Sequence, residues 1–298
     1  MGYKERIHVV PGYGAAFLRR LATLFSRESV AWVHWSEYSR PGVRWILGYP
    51  MKRWYGDLVA RHALGAFAQG VLATNDFVRW GIPIERIALL YYACKAGDRS
   101  AEPDRTCLDF LAGREAFLFL GTLCHCKGID LLLKSFASIP QDERKNWALL
   151  LVGKDFSQGR YRDMVHRLGL SDSVCFRQPV ASDQISTVLR CAKVLVLPSR
   201  LDGWGVVLNE AASMGLALIG SDKVGAAYHL IHPGMNGFMV RANSADSLRS
   251  ALTAYVQNPI LLGKHGEISQ SVAEEYTPSK NAQRFMAAIE SWKSMQRQ

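Results

Sequence analysis

The chain has 298 residues, of which 49% are hydrophobic and 21% charged, so it is long enough for two globular domains. No apolar run approaches the ~18–20 residues that cross a bilayer, and no signal-peptide core follows Met1, which together predict a cytoplasmic protein. The net charge of +10 favours an anionic partner, such as nucleic acid, acidic phospholipid or a phosphorylated small molecule.

Cysteine usage gives little support to a metal site. Six cysteines are sparse for this length, and the one cluster is Cys124-His125-Cys126. A zinc site needs further Cys or His ligands at ordered spacing, and no such second pair accompanies this cluster. We therefore predict that the protein binds no metal.

Residues 1–100 form the first predicted domain, in which strand-like and helix-like segments alternate. Strands are predicted at 7–10, 30–33 and 71–74, and helices at 15–25 and 57–67. Three strands in this length fit either a small α/β domain or part of a larger one.

A polar stretch at 96–106, which contains Gly and Pro, is interpreted as the linker to a second domain at 101–298. In that domain, strands are predicted at 116–120, 147–152, 174–176, 194–197 and 216–219, and helices at 130–136, 161–168, 183–190 and 206–214. Continuous apolar strands that alternate with helices predict a doubly wound parallel α/β sheet, covered on both faces. Its ligand is expected beyond the carboxyl ends of the strands.

The segment 198–210 is the most informative part of this domain. After a strand, an acid and two glycines precede a helix that is predicted to start near Val206: Asp202, Gly203 and Gly205. Glycine lets the backbone approach a ligand closely, and the unpaired N–H groups at a helix amino end suit a diphosphate. Glu210, about one turn further, is placed to accept both ribose hydroxyl hydrogens. The alternative is an ordinary strand–turn–helix with solvated acids.

Two other loops follow strands of the same sheet. Gly121-Thr122 begins a loop that ends at Lys127, and Gly153-Lys154 closes the next strand. Because the carboxyl ends of parallel strands share one edge, Lys127 is predicted to lie on the same side as Asp202. Each loop alone also fits a plain helix entry or turn.

In chain order the motifs are K-G, V-G-K, L-P-S-x-x-D-G-W-G-V-V-x-x-E-A and G-M-N-G-F. In combination they resemble the donor domain of the retaining GT-B glycosyltransferases of family 4, the glycosyl transferases group 1, over about residues 116–297. That family usually has Glu-Gly-Phe-Gly where this chain has Asp202 and Trp204, and an Arg where it has Thr122.

The resemblance implies an α/β GT-B fold: two Rossmann-like, doubly wound domains with a cleft between them. It also implies that the last helix packs back toward the first domain. The family's first domain commonly runs to ~150–180 residues, so the one here is short. Either it is naturally reduced, or the chain begins downstream of the family's usual start.

The resemblance further implies residue roles. Lys127 would neutralise the donor diphosphate, Asp202 would hold hydroxyls of the transferred sugar, and Glu210 would hold the ribose. Backbone N–H groups around Gly205 and Val206 would bind sugar hydroxyl or phosphate oxygens. The predicted donor-binding residues are Gly121, Thr122, Lys127, Gly153, Lys154, Gly203, Trp204, Gly205, Val206 and Glu210. The predicted catalytic residues are Asp202, Glu210, His34 and Glu37.

The first domain is predicted to supply the acceptor side. Residues 33–37 follow a strand, where related enzymes place side chains that face the cleft, so His34 and Glu37 are candidates to contact acceptor or donor sugar. The loop 11–14 is a candidate of the same kind. The alternative is a packing histidine, a surface glutamate and a plain loop.

The segment 40–55 interleaves cations with aromatic residues: Arg40, Arg44, Lys52 and Arg53 with Trp45, Tyr49, Trp54 and Tyr55. This composition suits the headgroup zone of an anionic membrane, where polyprenyl-diphosphate-linked sugars also lie. It predicts peripheral association with the inner face of the cell membrane. The alternative is a half-buried aromatic helix with solvated charges.

Together these features predict a retaining glycosyltransferase that moves a sugar from a UDP- or GDP-sugar to a lipid-linked or polysaccharide acceptor. No D-x-D motif occurs, which agrees with a metal-independent reaction that needs no cofactor besides the nucleotide-sugar co-substrate. The alternative is a catalytically weak nucleotide-sugar-binding subunit that acts with a partner protein. A nucleic-acid-binding protein ranks last, because the chain has no zinc-finger spacing, RNP-like strand or basic helix.

Overall fold

The computed structural model describes residues 6–39, 42 and 46–296. The chain divides into two compact units. Unit 1 consists of Met1–Ala93 and Pro278–Gln298, and unit 2 consists of Cys94–Thr277. Each unit has its own parallel β-sheet with helices around it.

Unit 1 contains a four-stranded parallel sheet in the order β1-β2-β3-β4. The strands are β1 (His8–Pro11), β2 (Trp32–Ser36), β3 (Gly65–Ala68) and β4 (Ile87–Leu89). The helices are α1 (Ala16–Arg27), α2 (Tyr49–His62), α3 (Gly70–Arg79) and α13 (Pro278–Met295), the last of the chain. Parallel neighbours need a crossover connection, and α1, α2 and α3 provide one between each successive pair.

Two predictions for unit 1 are wrong. Residues 71–74 were expected as a strand but lie in helix α3, where Ala73 and Phe77 are buried one turn apart. The predicted helix at 57–67 is instead the end of α2 followed by β3, whose four residues are all buried. A short apolar run bounded by Gly does not distinguish a buried strand from a helix by its periodicity.

The last helix, α13, contributes to the core of unit 1. Its Ile289 and Trp292 are buried with Val33 and Leu64 of the sheet region. Phe67 of β3 stacks on Phe285, with ring centroids 4.9 Å apart. This helix has 18 residues, yet neither it nor any other helix in the described part of the chain is long and apolar enough to cross a membrane.

Unit 2 contains a six-stranded parallel sheet in the order β10-β9-β8-β5-β6-β7. Its strands are β5 (Glu115–Leu120), β6 (Trp147–Val152), β7 (Val174–Arg177), β8 (Val194–Leu197), β9 (Ala217–Ser221) and β10 (Gly237–Val240). Its longer helices are α4 (Arg105–Leu111), α5 (Ile129–Ala137), α7 (Arg160–Arg167), α11 (Ala245–Gln257) and α12 (Leu261–Ala273). Its shorter helices are α6 (Gln141–Arg144), α8 (Ile185–Leu189), α9 (Val207–Ser213) and α10 (Ala227–Leu230).

The strand order of unit 2 reverses at β5. From β5 the chain builds outward through β6 and β7 on one side, then returns to pair β8 against the other side of β5. Both β6 and β8 are buried along their whole length, which is why their sequences are continuous apolar runs. The neighbouring strands β5 and β8 therefore mark a topological switch point, where doubly wound sheets bind ligands.

Candidate functional site

The loops after β5 and β8 are packed against each other at the switch point. Gly128 has φ +74°, and a Cβ on it would collide with the carbonyl oxygen of Pro198. The backbone N–H of Arg200 donates to the carbonyl oxygen of Cys126, at 2.7 Å. Backbone of one loop thus lies directly on backbone of the other, and glycine is required at the closest point.

This packing brings Lys127 to Asp202. The Lys127 ammonium donates a hydrogen bond to Asp202 Oδ2, and the two side chains are 24% and 15% exposed. The sequence placed these residues, which are 75 positions apart, on one edge of the sheet, and the structure joins them in a partly buried ion pair. Both groups remain reachable by a ligand.

The loop from Asp202 to Val206 is held rigidly by the turn after β9. The Asp202 N–H donates to Lys223 O at 2.9 Å, and its carbonyl accepts from Gly225 N at 3.2 Å. Gly205 has φ +86°, and a Cβ there would lie 2.7 Å from Val224 Cγ1. The N–H groups of Gly205 and Val206 have no acceptor among the described residues. They are backbone donors available to an oxygen ligand.

The buried Trp204 side chain anchors the loop from Asp202 to Val206. It is 2% exposed, its indole N–H donates to Asn209 Oδ1 at 2.7 Å, and its ring stacks on His229. The prediction that Trp204 contacts the donor does not agree with this burial, because the ring faces the core of unit 2. Because Trp204 directly precedes Gly205 and Val206, its buried ring helps to hold their backbone N–H groups in position.

Beside these loops lies a cavity of about 370 Å³. Gly121 and Gly153 lie along one side of it, with φ near +148° at Gly153, where a Cβ would collide with Gly121 O. Six of the predicted donor-binding residues line it: Gly121, Thr122, Gly153, Lys154, Val206 and Glu210. Lys127 and Asp202 lie outside this lining, in the same two loops that contribute Thr122 and Val206 to it.

Glu210 of α9 faces this cavity, and its carboxylate has no hydrogen bond or ion pair with any described residue. Burial raises the pKa of Glu210 above its ordinary value. A half-buried carboxylate without a protein partner costs stability, because burial removes part of its hydrogen bonding with water and no protein donor replaces it. Such a group is explained when a ligand supplies the hydrogen-bond donors.

We expect Glu210→Gln to keep or raise the melting temperature of the ligand-free protein at pH 7. The raised pKa means that the fold disfavours the charged form, so its cost is present above the folded pKa and disappears as pH falls toward the unfolded value. The same variant is expected to weaken nucleotide binding about tenfold to a hundredfold, because it loses a charge-assisted hydrogen bond. Thermal melts with and without nucleotide measure both effects. Exposed Glu267→Gln is the control, and a destabilised Glu210→Gln with unchanged affinity contradicts this account.

Arg200, which the sequence did not single out, fixes the loop that carries Lys127. Its guanidinium donates to both carboxylate oxygens of Asp130 at 2.7 and 2.8 Å, and to His125 O at 2.6 Å. Its Nε donates to Asn243 Oδ1 at 2.7 Å. Burial acts to raise the pKa of Asp130, but the hydrogen bonds and charge of Arg200 hold that pKa below its ordinary value. An arginine two residues before Asp202 and an acid three residues after Lys127 were the available sequence signal.

Replacing Arg200 with lysine is expected to lower nucleotide affinity by at least threefold and the melting temperature by about 2–8 °C. Lysine keeps the charge but loses the planar fork, a loss of roughly 1–2 kcal/mol at this partly exposed site. The matched control is Arg114→Lys: Arg114 makes three hydrogen bonds to backbone carbonyls beside the amino end of β5. The control should lose stability and keep nucleotide affinity. If Arg200→Lys and Arg114→Lys bind nucleotide with equal affinity, the proposed positioning role of Arg200 is wrong.

The turn at 234–237, the last motif of the resemblance, lies at the other edge of the sheet. It precedes β10, and the Asn236 carbonyl accepts from Leu218 N near the start of β9. Asn236 is fully buried and donates to Leu230 O at 2.8 Å. The turn therefore has a structural role and is not part of the candidate site.

In unit 1 the structure corrects the expectation for His34. The side chain is fully buried, with Nδ1 3.2 Å from the Tyr55 hydroxyl and Nε2 3.0 Å from Ser36 Oγ. Burial lowers its pKa to about 3, so the imidazole is neutral. His34 points into the core of unit 1 and is not available to a substrate. Glu37, at the end of the same strand, lines a separate cavity.

In the aromatic and cationic segment 40–55, the residues that the structure describes are only partly exposed. Tyr55 is fully buried and Lys52 is 3% exposed, where its ammonium donates to Ser39 Oγ at 3.0 Å. Trp54 is 49% exposed. Arg40, Arg44 and Trp45 lie outside the described residues. Tyr55 and Lys52 thus agree with the alternative interpretation of a half-buried helix, whereas the Trp54 side chain is exposed enough to contact a membrane surface.

Unit 2 is a doubly wound α/β domain with a glycine-lined cavity at its switch point, which is the arrangement of the Rossmann-like nucleotide-binding domains. The model of the family described as glycosyl transferases group 1 matches residues 104–273, more than half of the chain. The chain belongs to this family. The resemblance found in its motifs is thereby confirmed.

Curated relatives match mainly the second half of the chain. A D-inositol 3-phosphate glycosyltransferase from Streptomyces avermitilis is 28% identical over 165 residues, which are 53% of this chain and 35% of that protein. The protein of the same name from Streptomyces coelicolor is 27% identical over 188 residues, 59% of this chain and 41% of that protein. The chain thus matches less than half of the length of these relatives.

Solved structures share the fold across both units. HepE from Anabaena, solved in complex with UDP, superimposes with a TM-score of 0.80 at 16% identity and covers 95% of this chain and 79% of its own. Sucrose-phosphate synthase from Thermosynechococcus elongatus gives a TM-score of 0.74 at 18% identity, covering 97% and 74%. These likenesses and the two parallel sheets confirm the predicted fold class, α/β of the GT-B type with two Rossmann-like units.

Proposed function

We propose that the protein is a glycosyltransferase that transfers a sugar from a nucleotide-diphosphate-sugar to an acceptor hydroxyl. The observation that carries this proposal is the convergence at one switch point of three unusual features. They are a cation–carboxylate pair, and, within the part of the chain that the structure describes, two adjacent N–H groups without acceptors and a half-buried carboxylate without a partner. Membership in the glycosyl transferases group 1 family and the UDP in the HepE structure support the same donor class.

Each group has a role in holding the donor. The Lys127 ammonium and the N–H groups of Gly205 and Val206 bind phosphate oxygens, since backbone donors and a lysine are common phosphate ligands. The Glu210 carboxylate accepts hydrogen bonds from the ribose. Asp202 accepts from hydroxyls of the transferred sugar. In the ligand-free protein Lys127 and Asp202 neutralise each other, and the donor replaces that contact with two new ones.

In the reaction the bond between the anomeric carbon and the phosphate oxygen breaks, and a bond from the acceptor oxygen to that carbon forms. Lys127 and the two N–H groups stabilise the charge that develops on the leaving nucleoside diphosphate, without a metal or a resident cofactor. The acceptor attacks on the face that the phosphate leaves and gives its proton to a phosphate oxygen. The sugar thus retains its anomeric configuration.

The acceptor we propose is a lipid-linked glycan or polysaccharide at an anionic membrane surface. Helix α1 exposes Phe17 and Leu24 beside Arg20 and Arg27, and has no acid in its first turn. Exposed Trp54 lines the same groove as α1. Apolar and cationic side chains on one face suit anionic headgroups. Co-sedimentation with phosphatidylglycerol vesicles but not phosphatidylcholine vesicles tests this, and equal binding to both contradicts it.

A nucleotide panel tests the donor proposal itself. UDP, GDP or ADP, or their sugar conjugates, should raise the melting temperature, because a ligand that binds only the folded state stabilises it by mass action. Duplex DNA at physiological salt should not. If every nucleotide leaves the melting temperature unchanged, the donor site does not exist as proposed.

A further inference from the structure

The loop between β5 and α5 carries a pair of thiols directly before Lys127. The Sγ atoms of Cys124 and Cys126 lie 2.8 Å apart, closer than two unbonded sulfur atoms ordinarily approach. Both cysteines are free thiols and partly exposed, and His125 between them is exposed. The proposed donor site makes no use of these sulfurs, so the pair is open to a chemistry of its own.

The backbone between the two cysteines already has the spacing that a disulfide needs. His125 begins a short 3₁₀-helical turn, His125–Lys127. A helical residue holds the Cα atoms on its two sides about 5–6 Å apart, and disulfides usually join Cα atoms roughly 4.4–6.8 Å apart. The two sulfurs can therefore bond with changes confined to this turn.

The surroundings of the pair allow thiol chemistry but slow it. The thiolate is the form of cysteine that reacts. Burial and then the hydrogen bond with Cys124 raise the pKa of Cys126, and the neighbouring Lys127 ammonium acts against them. A small reagent in solution can reach both sulfurs, because neither cysteine is buried.

We propose that Cys124 and Cys126 form a reversible dithiol–disulfide site that controls the position of Lys127. The oxidant is a small-molecule disulfide. One cysteine thiolate attacks a sulfur of the oxidant, forms a mixed disulfide and releases one thiol. The other cysteine thiolate then attacks the protein sulfur of the mixed disulfide and releases the second thiol. The chain gives up two electrons and two protons, which leave in the two released thiols, and a dithiol reductant reverses the reaction.

The new bond acts on Lys127 through the backbone. The Lys127 N–H donates to Cys124 O at 3.0 Å, and the Arg200 N–H donates to Cys126 O at 2.7 Å. A disulfide fixes the Cβ–S–S–Cβ dihedral at about 90° and here closes a small ring, so the peptide after Cys126 tilts against these hydrogen bonds. The Lys127 ammonium then leaves its present partner, Asp202 Oδ2. Since Lys127 is the proposed phosphate ligand, this effect rests on the proposed function.

Peptide mapping shows whether the bond forms. The full chain is incubated with glutathione disulfide at about pH 8, where more of each thiol is ionised, and the remaining thiols are then alkylated. Trypsin releases residues 115–127 as one peptide, which contains Cys124, Cys126 and no other cysteine. We expect this peptide to lose two hydrogen atoms and to escape alkylation, and dithiothreitol to restore both thiols.

Cys107 and Cys191 are the internal control for the folded state. They are hydrogen-bonded to each other like the first pair, but both are buried. They should stay reduced in the native protein and become alkylated only after unfolding. If they oxidise together with Cys124 and Cys126, the bond forms in unfolded protein and the inference is overturned.

Calorimetric titration measures the effect on the donor site. The oxidised protein should bind a nucleoside diphosphate about tenfold more weakly than the reduced protein, which corresponds to the loss of one charge-assisted hydrogen bond. The double variant Cys124→Ser with Cys126→Ser should bind as the reduced protein does, before and after the oxidant. The matching double alanine variant replaces it if the serine pair does not fold.

Three results contradict the inference, each at a different step. A peptide 115–127 that stays alkylated, or that carries glutathione and no internal bond, overturns the disulfide. A disulfide that leaves nucleotide affinity unchanged, or an equal loss of affinity in the double variant, overturns its control of Lys127. If the reduced protein binds no nucleotide, the proposed donor site is wrong, and the peptide map still decides whether the disulfide forms.

Discussion

Replacing Lys127 with methionine is expected to weaken the binding of a nucleoside diphosphate by about tenfold to a hundredfold. The variant loses a charge-assisted hydrogen bond to phosphate, about 1.5–3 kcal/mol, and leaves the Asp202 carboxylate unpaired beside the diphosphate. Calorimetric titration with the strongest-binding of UDP, GDP and ADP measures the effect. Because the ion pair is partly exposed, the fold should survive the change.

Lys154→Met is the matched control for Lys127. Lys154 lines the cavity, but its ammonium lies over the Phe156 ring at 5.0 Å and has no ion pair among the described residues. We expect a much smaller loss of affinity in this variant. Equal losses in the two variants mean that the phosphate lies along the whole cavity wall, and the specific role of Lys127 is then wrong.

The Asp202→Asn variant is expected to separate turnover from binding. Turnover of the nucleotide-sugar, followed as slow hydrolysis or transfer, should fall roughly a hundredfold or more, the typical loss when a group that stabilises the transition state is removed. Affinity for the nucleoside diphosphate should hold or improve, because Lys127 no longer has a competing carboxylate. Initial rates and calorimetry on the same preparation provide both values.

Exposed Asp172→Asn controls for the loss of one acid elsewhere on unit 2. Full turnover in Asp202→Asn would show that Asp202 does not hold the sugar. If the wild-type protein binds nucleotide-sugars but never turns them over, the alternative of a binding subunit that acts with a partner takes the place of the enzyme.

The fold of unit 2 was predictable because several of its strands are continuous apolar runs that can be recognised in the sequence. Residues 147–152 and 194–197 are apolar throughout and buried throughout, and their β-strands were placed correctly. Unit 1 was less predictable, because β3 is only Gly65–Ala68 and lacks β-branched residues. Strand β4 has three residues and gives almost no pattern. Short strands depend on neighbours that the local sequence does not describe.

The candidate site was predictable wherever one topological rule sufficed. The carboxyl ends of parallel strands meet at one edge of the sheet, and that rule alone predicted that Lys127 lies on the same side as Asp202. Side-chain direction was not predictable in the same way. Trp204 lies in the loop after β8 and His34 in the middle of β2, and both point into the core, because tertiary packing decides which face of a loop or strand is covered.

Residues that act through other residues were also missed. Arg200 makes its contacts with Asp130, His125 and Asn243, which are 43 to 75 positions away, so no local motif contains them.

The most direct test of the donor site is a crystal structure of the protein with the nucleoside diphosphate that binds it most tightly. We expect the diphosphate between the Lys127 ammonium and the N–H groups of Gly205 and Val206, with the ribose hydroxyls on the Glu210 carboxylate. A nucleotide bound elsewhere, or one whose phosphates face away from Lys127, contradicts the account.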